Sequence, residues 1–492
     1  MPRATTTIRA HRVEDQLSLP TYFRHMDFDE LFERHPLPEE FARGMFFWPQ
    51  ERIRRHQNKL FLELMAVAWQ NPFYGEKWRE AGLLPGDIKS LEDLPKLPIV
   101  TVSDFKDEIE AHPPFGRHQG VERDAIGRKP LKLQSSGGTT GRPRPTFFGP
   151  VEWEVQGIQT ARALYIQGAR PGDRMQIPYT LTTSNLGWCY FQACFYYLGV
   201  IPITTGSGVV TPTVRQIEIA QAWQANILGS FPEYLLHMAR ATESEMGVDP
   251  RKLGMKQINT FLGPDTAGAL RAELEEVWNC DVYDNYGTHE IGVAAFECQA
   301  KDGRHFNEDT IFVEVVDVET GEVLRAGQIG NLVATVLHRR HPPLIRYNLM
   351  DLIRLLPDGK CGCGSELRRM THFLGRSDDM VKLRGTNVYP MACLGAVQGD
   401  SRTTGQWICV VDRVESDGVA RDEMTVQVER TAADVDADHL RRSLEDRLKI
   451  DLGVRVAVEV VPPDSLAELT NYGREGKVRR LLYRRPGYER HY

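Results

Sequence analysis

The stretch Gln134-Ser135-Ser136-Gly137-Gly138-Thr139-Thr140-Gly141-Arg142-Pro143-Arg144 decides how this chain is interpreted. Its glycines permit backbone conformations that other residues avoid and let the backbone approach a ligand closely. Its hydroxyl groups and successive N–H groups can converge on phosphate oxygens. The basic positions are Arg142 and Arg144, and no Gly-x-x-x-x-Gly-Lys-Ser/Thr spacing is present, so this is not a Walker-type loop. Taken alone, the stretch predicts either a polyphosphate cradle or an ordinary surface turn.

The segments after this loop alternate between short apolar strands and helices, which is typical of an α/β domain. The candidate strands are residues 175–178, 200–204, 227–230, 259–262 and 281–283. The last two run into the polar turns Gly263-Pro264-Asp265 and Asp284-Asn285-Tyr286-Gly287-Thr288-His289-Glu290. Because ligands in open α/β sheets bind at the carboxyl ends of strands, both turns are expected to line a site.

The pattern changes toward the C-terminus. Residues 310–338 alternate apolar with other side chains and predict a hairpin or a small barrel, and beyond Arg376 a separate α+β unit follows. The predicted fold class is a multidomain α/β and α+β protein with parallel-rich sheets and a small β-barrel-like part. Its expected parts are an N-terminal extension over residues 1–45, a large domain over 46–376 and a small α+β domain over 377–492.

The composition excludes several classes of protein. A net charge of −7 gives no electrostatic case for binding nucleic acid or a membrane surface. No apolar run reaches the ~18 residues that a membrane-spanning helix needs. The start, Met1-Pro2-Arg3-Ala4, lacks the apolar core of a signal peptide, and eight cysteines in 492 residues do not form a disulfide scaffold. We therefore expect a cytoplasmic protein in a reducing compartment, with neither nucleic acid nor a membrane as partner.

Four separated residues could bind a metal ion. Cys298 and His305 lie close in the sequence, and Cys361 and Cys363 form a tight turn farther along. Three thiolates and an imidazole are a ligand set of structural zinc. The spacing requires a tertiary contact between distant turns, so four unconnected reduced side chains are the alternative.

Five motifs, taken together, resemble the phenylacetate-CoA ligase family of the adenylate-forming superfamily. They occur in the family's order and at family-like intervals. The motifs are residues 136–144, Tyr286-Gly287-Thr288-His289-Glu290, Ile345-Arg346-Tyr347-Asn348-Leu349-Met350-Asp351, Gly375-Arg376-Ser377-Asp378-Asp379-Met380-Val381-Lys382-Leu383-Arg384-Gly385, and Gly476-Lys477-Val478-Arg479-Arg480.

The resemblance implies two half-reactions. A carboxylate, expected to belong to an aromatic or arylacetic acid, attacks the α-phosphate of MgATP to give an acyl adenylate and pyrophosphate. The thiol of coenzyme A then attacks the acyl carbon and expels AMP. The implied partners are therefore a small carboxylic acid, ATP, Mg²⁺ and coenzyme A. The family also implies a homodimer, and zinc at the Cys/His set.

The resemblance also implies the roles of individual residues. Catalysis is expected from Lys477, which bridges the acid and the nucleotide, and from Glu290, which holds Mg²⁺ against the phosphates. Without the resemblance, the alternative interpretation is that Lys477 is an exposed surface lysine and Glu290 a charge at a helix N-terminus. Asp378 is the expected hinge about which the small domain rotates between the half-reactions. The residues expected to bind the cofactors are Ser136, Gly138, Thr139, Thr140, Gly141, Arg142, Gly263, Asp284, Asn285, Tyr286, Gly287, Thr288, Asp351, Arg376 and Lys382.

Within that set the tasks differ. The loop is expected to hold the β and γ phosphates, with Arg142 or Arg144 adding charge. The ring of Tyr286 is expected to stack on adenine, and Asp351 to accept hydrogen bonds from the ribose hydroxyls. The acid pocket has three aromatic candidates, Trp188, Phe231 and Tyr234.

One position departs from the family. His289 stands where the family usually carries a hydroxyl that contacts the α-phosphate, so either Thr288 or the His289 ring has to supply that contact.

Two other functions stay open on the sequence. One is an adenylating enzyme that passes the acyl group to a carrier-protein thiol, an amine or another nucleophile. The other is a nucleotide-binding or zinc-stabilised interaction protein without catalysis.

Overall fold

A computed structural model describes residues 19–121, 129–136, 144–265, 268–384, 386–416, 419–470 and 478–484. Within these ranges no helix combines the length and the apolar character needed to cross a membrane. The helices are α1 (Phe28–Arg34), α2 (Pro38–Arg43), α3 (Gln50–Ala68), α4 (Pro72–Glu80), α5 (Val102–Ala111), α6 (Pro150–Ile166), α7 (Leu186–Gln192, continued by a π-helical turn over Ala193–Leu198), α8 (Thr213–Ala222), α9 (Pro232–Ser244), α10 (Ala269–Trp278), α11 (Leu394–Gln398), α12 (Ala437–Leu452) and α13 (Ala467–Thr470).

The strands form five sheets. They are β1 (Lys132–Ser136), β2 (Arg144–Phe148), β3 (Arg174–Gln176), β4 (Ile201–Ile203), β5 (Ile227–Gly229), β6 (Gln257–Thr260), β7 (Asp281–Thr288), β8 (Gly292–Glu297), β9 (Arg304–Phe306), β10 (Ile311–Val316), β11 (Ile329–Val336), β12 (Tyr347–Arg354), β13 (Arg369–Met370), β14 (Gly375–Arg376), β15 (Val381–Leu383), β16 (Thr386–Val388), β17 (Thr403–Ser416), β18 (Val419–Arg430), β19 (Ala457–Val461) and β20 (Leu481–Arg484).

The largest sheet carries the predicted α/β domain. Its order is β13-β9-β8-β7-β6-β5-β3-β4, and the strands from β7 to β4 are parallel. Every residue of β5 and β6 is buried, as expected for parallel strands covered on both faces. The helices α7, α8, α9 and α10 connect successive parallel strands. A strand is present at each of the five predicted places, and the carboxyl ends of these strands share one edge. Two bounds were wrong: β6 lies two residues earlier than predicted, and β7 continues to Thr288, so most of the predicted turn over residues 284–290 is strand paired with β8.

The predicted β-rich segment forms the hairpin β10–β11, which belongs to an antiparallel sheet of order β10-β11-β12-β14. The α+β unit that was expected beyond Arg376 is also present, as the sheet β19-β18-β17-β20 with α12 on one face. Helix α12 begins after Asp436, whose side chain accepts a hydrogen bond from the His439 amide, and ends at Gly453 in the left-handed conformation. Its buried residues recur every fourth position because one face packs on the sheet: Leu440, Leu444, Leu448 and Leu452.

The described part of the N-terminal segment packs on the large α/β unit. Arg162, fully buried on α6, donates from Nε to the carbonyl of Pro36 at 2.9 Å and lies 4.2 Å from the centre of the Phe41 ring. The same guanidinium donates to both oxygens of Asp309, at 2.8 and 2.9 Å. His35 contacts Asp309 at 3.1 Å. The N-terminal helices are therefore held by a buried charge pair as well as by apolar contact.

We predict that Asp309→Asn lowers the free energy of unfolding by roughly 3–5 kcal/mol, because it leaves the buried Arg162 guanidinium without its counter-charge. Urea unfolding followed by circular dichroism measures this loss. The control is Glu39→Gln, which breaks a pair whose Arg43 and Glu39 side chains are 78% and 58% exposed. That change is expected to stay within about 1 kcal/mol. Equal, small effects of the two substitutions would contradict the prediction.

Candidate functional site

The residues on either side of the Gly-rich loop form two paired strands. Strands β1 and β2 pair so that Ser136 is opposite Arg144. The Gln119 side chain fixes β2 because its Nε2 donates to the Pro145 carbonyl at 2.7 Å and its Oε1 accepts from the Phe147 amide at 3.1 Å. The base of the loop is thus firmly positioned. The proposed cofactor-binding residues Gly138, Thr139, Thr140, Gly141 and Arg142 lie outside the described residues, as does the side chain of Ser136.

The hairpin meets the end of β7 through an ion pair. Arg144, the first residue of β2, donates from Nη2 to the Glu290 carboxylate. Burial raises the pKa of the Glu290 carboxyl group, but the Arg144 guanidinium and the other neighbouring groups together outweigh burial, so the pKa is lowered. Arg144 also donates to the Tyr347 hydroxyl at 3.4 Å. Two motifs that are distant in the sequence therefore meet at one charge pair.

Glu290 is also fixed through its backbone. Arg339 donates from Nη1 to the Glu290 carbonyl at 2.7 Å, and its guanidinium lies 4.4 Å from the centre of the Phe148 ring. A Cβ at Gly287 would overlap the carbonyl of Gly292, so the turn before Glu290 requires glycine at that position. The contribution of Arg339 was not predicted from the sequence.

The two residues before Glu290 carry buried polar atoms. Among the described residues, neither Thr288 Oγ1 nor His289 Nε2 has a hydrogen-bond partner. Burial lowers the pKa of His289 to about 4, so the ring is neutral at pH 7. An unsatisfied buried polar group costs about 1–3 kcal/mol. Both atoms are therefore suited to a ligand that reaches this turn, which fits the expected contact with the α-phosphate.

The expected adenosine site is assembled around Tyr286 and Asp351. The hydroxyl of Tyr286 donates to Asp351 Oδ2 at 2.6 Å, and its ring stacks on Phe373 with centroids 6.4 Å apart. Burial, reinforced by the Asp351 carboxylate, raises the pKa of Tyr286, so the phenol stays protonated and able to donate. Asp351 lies on β12 opposite Arg376 on β14. The predicted base-stacking and ribose-binding residues are therefore in direct contact.

Arg376 links this pair to the predicted hinge. It donates to Asp351 Oδ1 from Nη1 at 3.1 Å, and its Nε and Nη2 each lie 2.8 Å from an oxygen of Asp378. Bidentate pairing of this kind fixes both side chains in one orientation. The hydrophobic core of the large unit ends at Met370, and that of the small unit begins at Val381. Asp378 lies between the two cores.

The other predicted cofactor residues differ in their burial and in their contacts. Asp284 is buried, accepting hydrogen bonds from the Leu262 amide and from Arg304, both at 2.7 Å. The side chain of Asn285 bonds to Gln167 and to the Thr260 carbonyl instead of projecting into open space. Gly263 follows β6 with a positive φ of 69°, a conformation that favours glycine. The side chain of Lys382 is exposed on β15, and Lys477 lies outside the described residues.

The three aromatic candidates for the acid pocket lie in separate contacts. Phe231 follows β5 and meets Tyr179 edge-on, with centroids 5.2 Å apart. The Tyr234 hydroxyl is 3.2 Å from Thr213 Oγ1. Trp188 donates from its indole to the Thr182 carbonyl at 2.8 Å. Phe231 is the candidate closest along the chain to the carboxyl edge of the parallel sheet.

The Cys/His residues form a compact group. The potential ligand atoms of Cys298, His305, Cys361 and Cys363 all lie within 4.8 Å of one another. The sulfur atoms of Cys298 and Cys361 are 3.7 Å apart, and Cys363 Sγ is 3.6 Å from His305 Nε2. Zinc bonds of about 2.3 Å to sulfur and 2.0–2.1 Å to nitrogen place neighbouring tetrahedral ligands roughly 3.6–3.8 Å apart. The geometry thus fits a zinc ion, and the tertiary contact required by the sequence prediction is present.

The sequence of this chain is similar to those of known proteins over most of its length. The AMP-binding enzyme C-terminal domain family matches residues 385–485. The phenylacetate-coenzyme A ligase of Aromatoleum evansii is 32% identical over 449 residues, covering 89% of this chain and 96% of the relative. That of Thermus thermophilus is 31% identical over 455 residues, covering 88% and 97%.

Solved structures agree with this assignment. 2-Hydroxyisobutyryl-CoA ligase in its postadenylation state, in complex with R3-HIB-AMP, aligns with a TM-score of 0.78 and 26% identity, covering 89% of this chain and 91% of that chain. The same enzyme with 2-HIB-AMP and CoA in the thioesterification state aligns with a TM-score of 0.65 and 27% identity, covering 89% and 91%. The sequence and the fold together show that this chain belongs to the phenylacetate-CoA ligase family of adenylate-forming enzymes.

Proposed function

We propose that this protein is an AMP-forming carboxylate–CoA ligase that activates an aromatic or arylacetic acid with MgATP and transfers the acyl group to coenzyme A. The observation that carries the proposal is the contact between Arg144, at the base of the Gly-rich loop, and Glu290, at the end of the Tyr286–Glu290 motif. This contact joins the candidate phosphate cradle to the Tyr286–Asp351 pair, as adenylate formation requires. Family membership supplies the reaction type.

In the first half-reaction, the chain has to bind ATP and stabilise the negative charge that develops on its phosphates. Glu290 is a hard oxygen ligand whose lowered pKa keeps it ionised, and its chemistry fits Mg²⁺, which supplies charge neutralisation when bound. Asp351 offers acceptors to the ribose hydroxyls, and the Tyr286 ring offers a surface for adenine. The unpaired atoms of Thr288 and His289 are available to the α-phosphate. Lys477 bridges the acid's carboxylate and the nucleotide.

In the second half-reaction, the small domain rotates about Asp378, removes Lys477 from the site and opens a path for the thiol. Two observations support this step. The chain aligns over the same share, 89%, with two states of one ligase, yet with TM-scores of 0.78 and 0.65. Because both structures are of one ligase, the higher TM-score with the postadenylation state supports a similar arrangement of the domains in this chain. The change of hydrophobic core between Met370 and Val381 supports a boundary at residues 376–377, with domains over 46–376 and 377–492.

We also propose that Cys298, His305, Cys361 and Cys363 hold a structural zinc ion. The group lies against a hydrophobic cluster that contains Phe46, Phe296 and Leu367. A zinc ion there would join the β8–β9 segment to the turn at residues 361–364. A homodimer and a cytoplasmic location remain predictions, drawn from the resemblance and the composition; size-exclusion chromatography with light scattering tests the former.

The acceptor is tested by measuring AMP release with phenylacetate in the presence and in the absence of coenzyme A. Turnover that depends on coenzyme A supports the proposal. Turnover that ignores it favours the alternative, in which another nucleophile takes the acyl group.

Glu290→Gln is expected to lower acid-dependent pyrophosphate release by about 10²-fold or more, since a neutral amide is a poor ligand for a hard divalent cation. A continuous pyrophosphate assay over a range of Mg²⁺ concentrations measures this. The exposed Glu80→Gln serves as the matched control and should behave as the unaltered protein does. Full activity of Glu290→Gln would remove this residue from the mechanism.

Lys477→Ala is expected to reduce adenylate formation by about 10²-fold or more and to leave thioester formation from synthetic acyl adenylate largely intact, because the lysine leaves the site before the second step. Single-turnover assays of each half-reaction separate the two effects. Lys449→Ala, at an exposed position of the same domain, is the control. An equal loss in both half-reactions would argue against the two-conformation mechanism.

Purified protein is expected to contain about one equivalent of zinc per chain, measured by inductively coupled plasma mass spectrometry. Cys363→Ser should lower both the zinc content and the melting temperature, because a ligand of a closed tetrahedral site is lost. Cys280→Ser, which alters a cysteine outside the group, should preserve both. Protein that has been purified with added zinc and carries far less than one equivalent would contradict the zinc site.

A further inference from the structure

We propose that Arg144 is the resident counter-ion of Glu290 and excludes free divalent cations from this carboxylate, so that metal binds together with the nucleotide rather than before it. The inference rests on the proposed role of Glu290 as a metal ligand. It assigns to Arg144 the task of selecting nucleotide-bound metal over free metal.

The first support is the burial of the pair. The side chains of Arg144 and Glu290 are each only 14% exposed. Separating two such charges is unfavourable unless each finds another partner, because little water can reach either group. The carboxylate cannot therefore exchange the guanidinium for solvent at low cost.

The second support is the small size of a cavity that adjoins the pair. The adjoining cavity has a volume of about 10 Å³ and is lined by Arg144 and Glu290 together with His118, Thr146 and Arg339. A cavity of this size holds about one water molecule. Mg²⁺ needs octahedral coordination and usually keeps several of its waters, so it requires Arg144 to move.

The third support is the arrangement of the other basic groups around Glu290. The guanidinium of Arg339 donates to the backbone carbonyls of Glu290 and Phe147. Within the described ranges, Arg144 is the cation placed against the Glu290 carboxylate.

The position of Arg144 provides it with a second partner. It is the first described residue after the loop 137–143 and lies opposite Ser136 in the hairpin. The phosphate oxygens of a bound nucleotide are suitable acceptors for a guanidinium, which binds phosphate in a bidentate manner. When MgATP binds, Arg144 can pass from carboxylate to phosphate while the metal replaces it on Glu290. Both buried charges then remain paired throughout, whereas free Mg²⁺ would leave Arg144 unpaired.

The test uses Mn²⁺ as the probe, titrated in the absence of nucleotide and followed by electron paramagnetic resonance of the unbound ion. We expect the unaltered protein to bind Mn²⁺ weakly and Arg144→Gln to bind one Mn²⁺ roughly tenfold or more tightly. The double variant Arg144→Gln/Glu290→Gln should lose the gain, and the exposed Arg354→Gln should match the unaltered protein. A non-hydrolysable ATP analogue should tighten Mn²⁺ binding to the unaltered protein.

Two outcomes would overturn the inference. One is Mn²⁺ binding by Arg144→Gln that is no tighter than that of the unaltered protein; the other is a gain that survives in the double variant. If Arg144→Gln does not fold, Arg144→Ser replaces it. If neither variant folds, titration of the unaltered protein alone still tests whether free metal is excluded. Tight binding of nucleotide-free Mn²⁺ to the unaltered protein, removed by Glu290→Gln, contradicts the exclusion. Phenylacetate-dependent pyrophosphate release by the unaltered protein tests the proposed function separately, so either idea can fail alone.

Discussion

Two opposite charges, Arg144 on β2 and Glu290 after β7, are paired in a largely buried environment, and the geometry of the candidate site depends on their contact. The pair connects the hairpin that carries the Gly-rich loop to the carboxyl edge of the parallel sheet. On the sheet side, Arg339 fixes the backbone of Glu290; on the hairpin side, Gln119 fixes β2. The base of the candidate phosphate cradle and the carboxylate proposed to hold metal are thereby held next to each other before any ligand contributes binding energy, which reduces the cost of ordering the site.

A second connection couples the proposed nucleotide site to the proposed hinge. Arg376 pairs with Asp351 on one side and with Asp378 on the other. A ribose that engages Asp351 therefore changes the surroundings of the same guanidinium that holds the hinge residue. Adenylate formation and domain rotation have to occur in order, and a shared arginine is a simple physical means to link them. The neutral ring of His289 adds a hydrogen-bonding group, without charge, to the turn proposed to face the α-phosphate.

Much of the fold could be predicted because its signals are local. The short apolar run of β5 and the alternation of strands with helices that follows the Gly-rich loop are visible in short windows of sequence. The Cys298, His305, Cys361 and Cys363 group was also predicted, since chemically matched ligands are recognisable even when they are far apart. Motif order identified Tyr286, Asp351 and Arg376, and the structure brings these three together.

Other features could not be predicted because they are tertiary pairings without a local signal. Arg144 and Glu290 are 146 residues apart, and Arg162 and Asp309 are 147 apart. Arg144 was expected to contact phosphate, and nothing in the loop indicated Glu290, which follows β7, as its partner. Arg162 did carry one usable sign, since it stands between Ala161 and Ala163 in the apolar last part of its helix, and a buried cation is costly unless a counter-charge exists. The described part of the segment over residues 1–45 is held by that charge.

The central claim is that the assembled site activates a carboxylic acid as an adenylate. Exchange of labelled pyrophosphate into ATP, without coenzyme A and across a panel of aromatic and aliphatic acids, measures this step directly. The account predicts exchange that depends on the acid and is strongest for an aromatic or arylacetic one. Binding of ATP without acid-dependent exchange for any acid in the panel would contradict it.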